Sequence, residues 1–72
     1  MRLLSFQVVA ELFAVDVRVL REACAYGLLH ERVSDDQRGL SSEELDRVAR
    51  LVALHVHYGL DWDVIVVVFD EW

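Results

Sequence analysis

A short helix with both ends marked, followed by a double leucine, limits the fold of this chain more than any other feature. It occupies residues 16–29. The Asp16 carboxylate can accept hydrogen bonds from the orphan amides of a first helical turn. Val17, Leu20, Cys24 and Leu28 recur at spacings of three and four, which aligns them as one buried stripe. Gly27 follows Tyr26 as a stop, because glycine enters the left-handed conformation without a side-chain clash. Leu28 and Leu29 then lead the chain into an extended segment.

The flanking segments read as follows. Met1 to Leu4 is short and apolar, a strand or an ordered arm. Ser5 caps a first helix running to about Phe13, with Phe6, Val9, Leu12 and Phe13 turned inward. Ala14 and Val15 make the turn. Alanine there at positive φ would cost about 1–2 kcal/mol, so either the turn differs from the usual glycine form or the core tolerates the strain. Two helices joined this way form a helix-turn-helix, with residues 16–26 as the recognition helix. Ser34, Asp35 and Asp36 are a turn signal between two short strands within residues 30–40, which suits a small wing. Ser41 and Glu44 have the spacing of a capping box. The third helix is expected from about Ser42 to Tyr58, with Leu45, Val48, Ala49, Val52 and Val56 on one face. Leu51, Leu54 and Tyr58 widen its apolar surface enough to suggest a central helix or a partial interface. Gly59 ends it. Asp61 caps a last helix in which Ile65, Val68, Phe69 and Trp72 share a face, although residues 65–68 also have strand propensity.

At 72 residues, residues 1–72 make a single domain, and a chain this short buries only about 60% of its unfolded surface. An apolar content of 56% and a mean hydropathy of +0.31 leave apolar surface for a partner. No apolar run approaches the roughly 20 residues of a membrane span and no signal-peptide pattern opens the chain, so a cytoplasmic protein is expected. The single cysteine excludes an internal disulfide and fits a reducing compartment. Thirteen acidic residues face seven arginines and no lysine, a net charge of −6. Since phosphate neutralisation by Lys and Arg drives DNA affinity, this balance points away from nucleic acid and towards a basic protein partner.

The order of elements and three motifs resemble the N-terminal domain of the MerR family across nearly the whole chain. The family's "GVS-x-R-x-LR…LGLL" is similar to residues Ala14 to Arg21 followed by Tyr26, Gly27, Leu28 and Leu29. Its "YSEEDL" is similar to residues Leu40 to Leu45, and its "LGFSLEEI" to residues Tyr58 to Ile65. The resemblance implies a mainly all-α, MerR-like winged helix-turn-helix with four helices and a short two-stranded wing. Arg18 and Arg21 stand where that family places DNA-contacting arginines, and Arg38 is kept from its wing motif "GYRLY", similar to residues Asp36 to Leu40. Glu22 and Ala23 replace the aromatic pair that normally follows, and the wing loses both tyrosines. The chain stops at Trp72, so the dimerising coiled coil and effector domain of the family are expected to be absent. Gly59, Leu60, Asp61 and Trp62, with Ile65 close behind, look like the "LDW-x-x-I" of the chaperone-modulator subfamily of CbpM type. Those proteins and the similar short DnaK–DnaJ assembly factors bind J-domain co-chaperones rather than DNA.

Three function classes follow. The favoured one is a protein-binding adaptor that modulates a J-domain co-chaperone. J-domains typically present a basic helix, and the acids Asp35, Asp36, Glu43, Glu44 and Asp46 would face it. Leu51, Leu54 and Tyr58 are the alternative contact. The bland reading of these acids is a solvated face, with Glu43, Glu44 and Asp46 complementing a helix dipole. The second class is a small DNA-binding protein, a truncated MerR-type regulator or an excisionase, using Arg18, Arg21 and Arg38; Arg18 and Arg21 can instead pair with Glu22, Asp16 or a neighbouring helix. The third class, an enzyme, has no nucleophile–base pair, phosphate loop or metal cluster to support it, so no catalytic residue, cofactor or metal is expected. His55 and His57 point in different directions on a helix, His30 lies in the wing, and Cys24 reads as a small core hydrophobe. Trp62 reads as a core anchor between the last two helices; Trp72 is either anchor or contact.

Overall fold

The computed structural model describes residues 2–70. Ser5 starts the first helix: its hydroxyl accepts the Val8 amide at 3.2 Å, and α1 runs Phe6–Phe13. Its core face is Phe6, Val9 and Ala10, with Phe13 packed beside them. Leu12 was expected inward, but it is 63% exposed. At about 100° per residue it lies roughly 60° beyond Val9 and about 100–160° from Phe13, Phe6 and Ala10, outside the arc that faces the core. The helix ends on Ala14 at φ 55 and ψ 45, and the Val15 amide returns to the Ala10 carbonyl at 3.0 Å. The turn therefore keeps its left-handed geometry, and the core tolerates the strained alanine.

Asp16 caps α2 (Val17–Ala25), with its Oδ1 accepting the Arg18 amide at 2.9 Å. Leu20 and Ala23 are buried, while Val17 and Cys24 pack at the margin of the core. After Leu28 and Leu29, both buried, comes a hairpin of β2 (Arg32–Ser34) and β3 (Gln37–Ser41) turning on Asp35 and Asp36. The N-terminal arm is a strand, β1 (Leu3–Leu4). It pairs antiparallel with β3 through Leu3 with Ser41 and Leu4 with Leu40, giving a three-stranded sheet in the order β1-β3-β2. A two-stranded unit was expected here; the hairpin instead belongs to a sheet of three strands. The Gln37 side chain adds a tie by accepting the Leu3 amide at 2.8 Å.

The expected capping box does not form. Ser41 ends the central strand, opposite Leu3, and its buried hydroxyl makes no cap bond. Glu44 turns instead to the base of β2, with Oε2 3.4 Å from the His30 amide and Oε1 3.6 Å from Arg32 Nε. Residues Ser42–Glu44 make one 3₁₀ turn, α3 follows over Leu45–Val52, and Ala53–His57 form a π turn. The core arc of α3 is Val48, Leu51 and Val52, with Leu45 at its edge. Ala49 and Val56, expected inward, are exposed. Ala49 lies beyond that arc, and the extra residue of the π turn shifts the phase of everything after Val52.

The last element, α4 (Trp62–Asp70), is helical throughout, so packing overrides the strand propensity of residues 65–68. The Asp61 carbonyl accepts the Val64 and Ile65 amides at 3.1 Å. Trp62 and Ile65 are buried, and Val68 and Phe69 are half-buried. The expected contribution of Trp72 lies outside the described residues. The whole is a mainly helical domain of four helices and a small antiparallel sheet around one core, in which Leu20, Leu29, Leu40, Leu51 and Ile65 are fully buried. Among the described residues, no helix is long and apolar enough to cross a membrane.

Two backbone positions test this account. Ala14→Gly removes about 1–2 kcal/mol of left-handed strain and adds about 0.4–1 kcal/mol of unfolded-state entropy. A net gain of about 0.5–1 kcal/mol is expected, seen as a rise in Tm of several degrees by circular dichroism. Gly39, at φ 154 in β3, has no such freedom, because a Cβ there would overlap the Leu4 carbonyl oxygen. Gly39→Ala should push β1 off the sheet and lower stability by roughly 3–5 kcal/mol in the same measurement.

Candidate functional site

The acidic residues singled out from the sequence fall in two places. Asp35 and Asp36 form the exposed tip of the β2–β3 hairpin, with Asp35 at φ 52, a conformation aspartate tolerates better than most residues. Glu43, Glu44 and Asp46 lie at the other end of β3, on the order of 15 Å away at 3.3 Å per strand residue. There they line an open hollow of about 420 Å³ with Arg47, Arg50 and Phe69. Arg47 donates to the Leu28 carbonyl at 2.6 Å and lies over the Phe69 ring at 4.9 Å. The hollow is therefore of mixed charge, whereas the hairpin turn itself is acidic, with the exposed Arg38 two residues beyond it. Glu44 is engaged with the β2 base, as described, and offers a partner little.

The apolar alternative on the third helix changes. Leu51 is 1% exposed and belongs to the core, so it cannot meet a partner. Leu54 is half-buried against that core. Tyr58 alone of the three stands out, at 76% exposure.

The arginines of the DNA-binding alternative are all at the surface, but two have apolar or acidic neighbours. Arg18 sits 3.6 Å from Asp16, and Arg21 lies over the Phe6 ring at 5.4 Å. Both arginines are exposed, although the Phe6 ring under Arg21 is buried, and each contact contributes little to stability. Arg38 lies on β3 opposite Val33.

A second polar constellation was not legible as one. Glu22 on α2, His55 in the π turn and Trp62 at the start of α4 converge although 40 residues separate the outer pair. The Trp62 indole N–H donates to Glu22 Oε1 at 2.9 Å. His55 stacks on the indole with ring centroids 4.0 Å apart and planes 17° from parallel. Its Nδ1 is 2.8 Å from the Leu60 carbonyl, which fixes Nδ1 as the protonated nitrogen and leaves Nε2 4.0 Å from the Glu22 carboxylate. Tyr26 stacks beyond, 6.1 Å from the indole. The only sequence signal was general: a buried tryptophan needs an acceptor. Glu22 supplies it.

Cys24 is half-buried, and burial pushes its thiol above the ordinary value, helped by the Glu31 and Glu44 carboxylates and opposed by Arg21 and the Glu31 amide. It remains protonated at neutral pH and is a packing group. Among the described residues, no three His, Cys, Asp or Glu side chains gather as a metal site.

Comparison with family models, with curated proteins and with solved structures gave no match. The function must be argued from these surfaces.

The Glu22–Trp62 bond makes a direct prediction. Trp62→Phe removes the donor and Glu22→Ala the acceptor. Because Glu22 is half-exposed, a double-mutant cycle in urea should give a coupling of only about 0.5–1 kcal/mol. Strict additivity would mean that the bond contributes nothing.

Proposed function

We propose that this domain is a MerR-like winged helix-turn-helix of the chaperone-modulator kind, which binds a J-domain co-chaperone of the DnaK system and not DNA. The observation that carries the reading is the hairpin tip. Where a DNA-binding wing would offer mainly cations to phosphate, the turn of this one presents Asp35 and Asp36, which outnumber the exposed Arg38 beside them. Both acids are exposed and without an ion pair among the described residues. The neighbouring recognition helix supports it. Its Arg18 faces Asp16, its Arg21 lies on Phe6, and Glu22 puts a carboxylate between them and Trp62. The first two helices, the left-handed turn at Ala14 and the hairpin that follows α2 have the order of a winged helix-turn-helix. A J-domain's basic helix is the complement of such a tip.

Surface plasmon resonance against the J-domain co-chaperone, over a salt series, tests it. Rim charges act mainly on association and are screened beyond about 8–10 Å at ordinary salt. Replacing Asp35 and Asp36 together by asparagine should slow association several-fold, flatten its salt dependence and leave Tm unchanged. Absence of binding by the unmutated protein at any salt would remove the co-chaperone reading. Sub-micromolar binding of a discrete DNA operator at about 150 mM salt would favour the regulator reading instead.

A further inference from the structure

We infer that the outer face of α4 is a second docking surface, which takes a basic amphipathic helix of a partner protein. The face is built from Asp63, Val64, Val67 and Asp70, all exposed. At about 100° per residue, Asp63, Val67 and Asp70 lie within roughly 60° of one another and Val64 flanks them. The opposite side of the helix puts Trp62 and Ile65 in the core, so this face points away from it. Val64 and Val67 are 46% and 60% exposed, an aliphatic pair left in water.

Charge identifies the occupant. The described α4 carries Asp63 and Asp70 and no basic residue, and Asp61 precedes it. None of the three makes a salt bridge among the described residues. Asp63 and Asp70 are two turns apart, about 10 Å along the axis, with Val67 between them. A helix laid against this ridge, with a leucine or isoleucine on Val64 and Val67, needs Lys or Arg seven residues apart to meet both carboxylates. A second copy of the chain is excluded as occupant on the same ground. Antiparallel pairing of two α4 faces would set Asp63 against Asp70 and join two bodies of net charge −6. An anionic membrane surface fails for the same reason. With little apolar area to bury, the contact is weak and strongly salt-dependent.

This surface is distinct from the hairpin tip and does not depend on the co-chaperone reading. The probe is a synthetic amphipathic helix of about 18 residues, with leucine on one face and lysine beside it at heptad spacing. It is titrated into the isotope-labelled domain and followed by amide NMR shifts. The expected result is saturable binding with shifts concentrated at Asp63, Val64, Val67 and Asp70. Val67→Ser should weaken it about tenfold. Replacing Asp63 and Asp70 by asparagine should weaken it and flatten the salt dependence. Both variants alter exposed groups, and their melting curves should match the parent's. Shifts centred on Asp35 and Asp36, parental affinity in both variants, or the lack of saturable binding would each overturn the inference.

Discussion

The stacked pair of Trp62 and His55 is the contact on which the helical part of the domain depends. Trp62 reaches from the first turn of α4 to the π turn and to α2, so one side chain joins three elements. In a small domain such a side chain weighs heavily. Burying a large aromatic removes about 150–250 Å² from water, an upper figure of roughly 4–6 kcal/mol. That is comparable with the whole stability of a domain this size, about 5–15 kcal/mol at most. The polar ends of the pair are also satisfied, with the indole bonded to Glu22 and the imidazole to the Leu60 carbonyl. Ile65, one turn on, completes the seating of α4 in the core.

The sheet performs a different task. β3 is its central strand, held on one side by β1 and on the other by β2. The backbone of Leu4 runs so close to Gly39 that no larger residue fits between them. The hairpin is therefore anchored at its base and free only at its tip, where Asp35 and Asp36 turn the chain. A tip of this kind presents charge at a defined distance from α2. The acids at the base are different in character, because Arg47 and Arg50 share their hollow.

Much of the fold was legible because local chemistry and tertiary packing agree over residues 5–29. The caps at Ser5 and Asp16, the stripe of Leu20 and its neighbours, and the stop at Gly27 all act within a few residues. The hairpin turn at Asp35 was equally local. Reading failed where the deciding partner is remote. Ser41 and Glu44 have the spacing of a capping box, but Arg32 and the His30 amide take Glu44, and the buried Ser41 hydroxyl makes no cap bond. Leu51 looked available because the helix is apolar on so much of its girth, and only the packed structure shows which side is core. The Glu22–Trp62 bond has no local signature at all. The candidate site was thus readable as charge, in Asp35 and Asp36, and unreadable as geometry.

The π turn at Ala53–His57 ties the architecture to chain length. The Tyr58 amide reaches back five residues to Ala53, so this helix holds one residue more than an α-helix of the same span. That surplus residue sets the rotation at which His55 meets the indole. No exchange of side chains can reproduce or cancel a rotation of this kind; only an insertion or a deletion can. Descendants of this sequence can therefore drift in composition at Ala53 or Val56 while the number of residues between Val52 and Trp62 stays constant, and a single-codon loss there would be felt across the molecule, at Glu22.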